Sequence, residues 1–165
     1  GKGESDNIIL GSVASYVINK IERPVLAVPE EATFRGIESI NNIAYATNFD
    51  NSDFKAISNL TNLIKPFNMH IHCVHVETEN DDYWDEVKMK GLKNYFAELD
   101  TPDVQCKMIK SNDLIDGITR FIDENDIHIL STTTRKRNFF TKLFNPSMTR
   151  ELLQNVDIPL LIFHS

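Results

Sequence analysis

Apolar positions recur along the chain with two different spacings. Ile9, Val13, Val17, Ile18 and Ile21 follow a near-helical period and predict a helix over residues 8–20. The "RPVLAVP" that follows reads as a short, fully buried strand closed by Pro29. A charged, turn-prone stretch, "EEATFRGIES", then serves as a linker over residues 31–38. A complete new unit begins with strand Ile43–Thr47. It continues with a helix from about Ser52 to Pro66, apolar at Phe54, Ile57, Leu60, Leu63 and Ile64. Next come strand "MHIHCVHVE", the acidic loop "TENDDYWDE", a helix from Trp84 to Leu99 and strand "VQCKMIK". Helix Asp113–Glu124, strand "IHILST", a helix near Met148–Asn155 and strand "PLLIFH" complete the chain.

Strands that alternate with helices and are almost wholly apolar indicate a parallel sheet covered on both faces. The fold class is therefore α/β: a five-stranded parallel sheet over residues 39–165, preceded by an extra helix–strand unit in residues 1–30. Those two leading elements also match the last two. At an offset of 135 positions, Ser12 falls on Ser147, Val17 on Leu152, Ile21 on Val156 and Pro24 on Pro159, without a gap. The front segment is thus read as the end of a first copy of the unit. Two elements cannot enclose a core by themselves, so residues 1–30 must dock on something.

Composition narrows the class. The 165 residues, 41% hydrophobic and 25% charged, suffice for one soluble domain with a core of its own. A net charge of −7 argues against general affinity for nucleic acid or an anionic membrane. No apolar run approaches the length of a membrane span, and no signal-peptide pattern opens the chain. Position 1 is Gly, so further chain is expected upstream. Cys73 and Cys106 show no zinc or CxxC spacing and read as reduced, buried thiols.

The arrangement resembles the universal stress protein family, specifically its tandem members. "GSVASYVINKIERPVLAVP", "IAYATNFDNSDFKAISNLTNLI" and "HIHCVHVE" carry the resemblance. In the nucleotide-binding branch a signature G-x2-G-x9-G-[ST] follows the fourth strand. Gly1, Gly11 and Ser12 match its last part, and the first glycine of the signature would lie upstream of residue 1. The physical logic is that glycine lets backbone N–H groups approach a phosphate at a helix N-terminus.

In the second copy the equivalent positions are Thr133, Lys136, Pro146 and Ser147, and only the serine survives. Two carry a Cβ where the signature has none, and Pro146 lacks an N–H. The family's acidic residue after the first strand is here Asn48. The second site is therefore expected to be degenerate. Arg135, Lys136, Arg137 and Lys142 could supply cations to a phosphate instead. The plainer reading of that run is a solvated loop fastened by Phe139, Phe140 and Phe144.

Other candidates carry less. His70 and His72 share one face of a strand, with Cys73 and His75 on the other, but no third metal partner is identifiable and no metal site is expected. "ETENDDYWDE" lacks the order and glycine of a calcium loop. Tyr83 and Trp84 mark either a partner surface or the start of a helix. "TTTR" offers hydroxyls at a strand end, without a base, and no nucleophile elbow, HExxH or Walker lysine occurs.

The resemblance implies a cytoplasmic, non-enzymatic stress-response protein acting through dimerisation, with nucleotide binding retained at most in the first copy. No cofactor is required, although ATP or another adenine nucleotide could occupy an intact first copy. The competing readings are a slow ATPase with its site in the first copy and an interaction scaffold without a ligand. Partnering is expected through the last strands, Pro24–Val28 antiparallel to Pro159–Phe163, within the chain or across a dimer.

Overall fold

The computed structural model describes residues 16–18, 20–30, 32–33, 36–49, 51–78, 84–98, 104–134, 151–152 and 154–164. Among these, the strands are β1 (Val25–Ala27), β2 (Asn42–Ala46), β3 (His70–Glu77), β4 (Val104–Lys110), β5 (Ile129–Thr134) and β6 (Leu160–His164). The helices are α1 (Asn51–Ile64), α2 (Trp84–Glu98) and α3 (Leu114–Glu124). Residues 16–18 and 151–152 are also helical, and the linker ends in a 3-10 turn, Ile37–Ser39.

One mixed sheet runs β1-β6-β5-β2-β3-β4. Five strands are parallel, as the apolar alternation with helices requires, and β1 adds a sixth, antiparallel to β6. The boundaries shift by a residue or two from the sequence pattern. The helix expected from Ser52 to Pro66 stops at Ile64, before the proline, because the residue preceding a proline is pushed out of the helical region. Asp113 lies outside its helix as the N-cap, its carboxylate accepting from the Asp116 N–H at 3.0 Å.

Both faces are buried along the inner strands, whereas the edge strands are partly open. Leu26 of β1, expected within a fully buried strand, is exposed because no further strand or helix covers it among the described residues. Gln105 and Lys107 of β4 are exposed too. Ala44, Ala46, Val74, Leu130, Leu160 and Ile162 pack under α3 and the segment around Leu152 and Val156. Ile43, Tyr45, Ile71, Cys73, Leu161 and Phe163 pack under α1 and α2. Such double-sided burial explains why the strands read as near-continuous apolar runs. At Gly117 an added Cβ would stand 2.7 Å from Val76 Cγ1, so this glycine lets α3 lie close against β3.

The front segment docks on the first of these faces. Ile18 is 4% exposed within that core, and its carbonyl accepts from His164 Nε2 at 2.6 Å. Val25 pairs with Ile162, Leu26 with Leu161 and Ala27 with Leu160. This register is symmetric under the 135-residue offset. Leu26 faces its own counterpart, while Val25 and Ala27 each face the counterpart of the other. Of the antiparallel pairing expected between Pro24–Val28 and Pro159–Phe163, the three rungs from Val25–Ala27 to Leu160–Ile162 are present, within the single chain.

Candidate functional site at the carboxyl ends of β2 and β5

The chain runs β2, β3, β4 toward one edge, then returns with β5 beside the other side of β2. The order thus reverses between β2 and β5, and open α/β sheets bind ligands in the crevice beyond the strand ends at such a point. Asn48 and Thr133 both lie there. Asn48 follows β2 by two residues, and Thr133 is the penultimate residue of β5.

The polar groups at this position are bonded to one another. Asp53, in the first turn of α1, is 1% exposed and reaches back to the end of β2. Its Oδ1 accepts from the Tyr45 hydroxyl at 3.0 Å. Its Oδ2 accepts from the Thr47 hydroxyl and from the Asn48 N–H, each at 2.9 Å. Since Tyr45 donates to Asp53, the Thr133 hydroxyl donates to the Tyr45 oxygen, at 2.7 Å. Thr47 Oγ1 in turn accepts from the Phe49 N–H at 3.0 Å. His75 Nδ1 donates to the Thr47 carbonyl at 2.9 Å, and its ring lies 4.4 Å from that of Phe49.

Phe49 achieves this contact with a left-handed backbone, φ 58°. That conformation costs a non-glycine residue roughly 1 kcal/mol, and here it turns the ring inward to 5% exposure. Burial also dominates the titration of the two central groups. It raises the Asp53 carboxyl above its ordinary range despite the three donors, which pull the other way. Burial first, then the charge of Asp53, pushes the Tyr45 phenol well up, so it stays protonated.

The structure therefore brings Asn48 and Thr133 into one network, joined through Asp53 and Tyr45. Thr133 is 1% exposed, and Asn48, half-buried, gives its main-chain N–H to the network. Gly1, Gly11, Ser12, Lys136 and Ser147 lie outside the described residues, as do Pro146, the Arg135–Arg137 run and the Phe139, Phe140 and Phe144 anchor. Tyr45, Thr47 and Asp53 were missed by sequence reasoning. The available signal was an Asp in the first turn of a helix, where a carboxylate can reach back to preceding N–H and O–H donors.

The histidine faces agree with the alternation. His72 lies on the α3 face, its Nε2 3.3 Å from Asn42 Oδ1, and His75 on the α1 face. Among the described residues, no three His, Cys, Asp or Glu side chains group so as to hold a metal. No helix among them is long and apolar enough to cross a membrane. An open cavity of about 380 Å³ lies between α3 and Asn155, lined by Asp116, Arg120 and Asp123 among others, away from the switch point. Cys106 departs from expectation, being only partly buried.

No protein-family model and no curated protein matches the chain. Solved structures do. A universal stress protein from Archaeoglobus fulgidus DSM 4304 superposes with TM-score 0.67 at 16% identity, over 94% of this chain and 54% of that one. A universal stress protein in complex with cAMP gives 0.60 at 11% identity, over 76% of this chain and 97% of that one. A third, from Lactobacillus plantarum, gives 0.57 at 11%, over 74% and 97%. At these identities the likeness is one of fold: the chain has the fold of universal stress proteins and spans about half the length of the Archaeoglobus protein.

Proposed function

We propose that this chain is a universal stress protein of the tandem type, comprising the last helix and strand of a first copy in residues 1–30 and a complete second copy in residues 39–165. It acts as a non-enzymatic, cytoplasmic stress-response protein. The two copies pair through their last strands, and nucleotide binding is retained at most in the first copy.

The observation that carries this reading is the register of β1 on β6. Two segments related by the 135-residue offset pair antiparallel about Leu26 and Leu161, as the same patch on two like subunits would. Tyr16, Ile21, Leu26 and Val28 are exposed apolar residues on the front segment, a surface that the remainder of a first copy would cover. A degenerate second site is supported by the network itself. Thr47, Asp53 and Thr133, where a ligand would seek partners, are each at most 2% exposed and bonded to their neighbours. The cAMP held by one structural neighbour makes an adenine nucleotide the ligand class to test.

Calorimetry with ATP, together with phosphate release, tests the reading. Residues 1–165 should neither bind nor turn over ATP, whereas a longer chain with a complete first copy should bind it. Saturable binding by residues 1–165 that is lost on replacing Asn48 or Thr133 would overturn the degenerate-site reading. Turnover that depends on Gly11 and Ser12 would make the protein an ATPase.

A further inference from the structure

We propose that Cys73 and Cys106 form a peroxide-responsive dithiol, a modification site that closes reversibly to a disulfide between β3 and β4. The two residues are direct register partners in the parallel ladder, so their side chains leave the same face of the sheet side by side. Neighbouring strands lie about 4.8 Å apart. That falls inside the roughly 4.4–6.8 Å between Cα atoms that a disulfide spans. The remaining adjustment falls on β4, which stands at the edge of the sheet and is laddered only to β3. An edge strand can shear without breaking a second ladder.

The two sulfurs differ in the way that such chemistry needs. Cys106 is partly exposed, so a small oxidant reaches it, while Cys73 is fully buried beside Tyr45. The neighbouring Cys73 thiol and the Lys93 ammonium both favour the Cys106 thiolate. Together they hold the Cys106 thiol below its ordinary range, whereas Cys73 is pushed well up. Cys106 is the attacking sulfur and Cys73 the resolving one.

The steps balance with a hydroperoxide as oxidant. The Cys106 thiolate attacks a peroxide oxygen, the O–O bond breaks, and hydroxide leaves and is protonated, giving a sulfenic acid. The Cys73 sulfur then attacks the Cys106 sulfur. The S–O bond breaks, the departing oxygen takes the Cys73 proton and leaves as water, and the S–S bond forms. Two thiols lose two electrons and the peroxide is reduced to water. A thiol reductant reverses the change by exchange.

The chain contains only these two cysteines, so no other thiol competes. The test exposes reduced residues 1–165 to hydrogen peroxide, quenches, unfolds in urea and alkylates with a maleimide. In the wild type, both thiols should vanish together in the monomer, with a mass lower by two hydrogens, and dithiothreitol should restore both. Cys73→Ser should leave Cys106 as a sulfenic acid trapped by dimedone. Cys106→Ser should slow oxidation of Cys73 by about tenfold or more. Oxidation of Cys106 to sulfinic acid without a disulfide would overturn the proposal. So would a disulfide formed only between chains, or one formed only in urea-unfolded protein. The wild-type measurement decides these outcomes without relying on the folding of either variant.

Discussion

Replacing Asp53 tests whether the network at the switch point is held by its acceptor or by its charge. In Asp53→Ala, the Tyr45 hydroxyl, the Thr47 hydroxyl and the Asn48 N–H lose a common partner. Each buried donor left without an acceptor costs about 1–3 kcal/mol. Tyr45 is rescued, because its hydroxyl can turn to Thr133 Oγ1, already 2.7 Å away. Asn48 is half-buried and can find water. Thr47, 2% exposed, has neither escape. Removal of the desolvated carboxylate offsets part of the loss. The net expectation is about 1–2 kcal/mol of destabilisation, or a fall in Tm of about 2–8 °C for a chain of this size.

Asp53→Asn behaves differently. Its amide oxygen can accept from Thr47 and Asn48, while its NH2 donates to the Tyr45 oxygen and Tyr45 turns to Thr133. The cost should stay within about 1 kcal/mol at neutral pH. The charge then shows in the pH dependence. The folded-state pKa of Asp53 is raised, so the folded protein holds this proton to higher pH than the unfolded chain does. Its stabilising contribution is complete below the unfolded pKa and is lost as pH rises through the folded pKa. Urea unfolding should therefore show the wild type gaining on Asp53→Asn as pH falls from neutrality into the acid range. The reasoning fails if Asp53→Ala lies within about 0.5 kcal/mol of wild type, or if Asp53→Asn is as damaging as Asp53→Ala.

Three further outcomes follow from packing. Ile18→Ala should cost about 2–4 kcal/mol in urea unfolding, because the side chain is 4% exposed in the core; a negligible cost would mean that the front segment is not docked. Gly117→Ala gains about 1 kcal/mol of helix propensity but meets stiff, buried Val76 at 2.7 Å, so it should be net destabilising by about 1 kcal/mol in the same assay. Thr133→Val should cost about 1 kcal/mol, since Tyr45 keeps Asp53 as a partner, and should leave ATP titrations unchanged; a larger loss would mean that Thr133 anchors the network.

The fold was legible because burial of both sheet faces writes itself into the strands. Ile43, Tyr45, Ile71 and Leu130 are apolar on either side of the backbone, and the helices between them carry their own period. The edge pairing was legible through the repeat, since Pro24 and Pro159 mark matching strand starts. The buried network was not. A Tyr in an apolar strand and an Asp opening a helix each have an ordinary local reading. Their meeting depends on how α1 sits against β2 and β5, which no local spacing encodes. Cys106 was read as buried because its strand is apolar in composition. That strand lies at the sheet edge, with Gln105, Lys107 and Lys110 exposed around it.

The two sheet edges bear on how copies of this chain can associate. β4 carries Lys107 and Lys110, whose charges discourage edge-to-edge pairing. β1 is three residues long and flanked by Pro24 and Pro29, which leaves little ladder for another chain. The longer strand β6 would template a partner, but β1 already occupies its edge from within the chain. A homodimer through β6 would first have to displace β1 and draw Ile18 out of the core, losing the burial of a large side chain and the His164 contact. Pairing within the chain carries no loss of translational and rotational freedom, whereas pairing between chains does. Residues 1–165 should therefore run as a monomer in light scattering, and removal of residues 1–30 should produce a species that self-associates through β6. A stable dimer of residues 1–165 with Val25 still laddered to Ile162 would place the partner surface elsewhere and sink the argument that β1 is the pairing device.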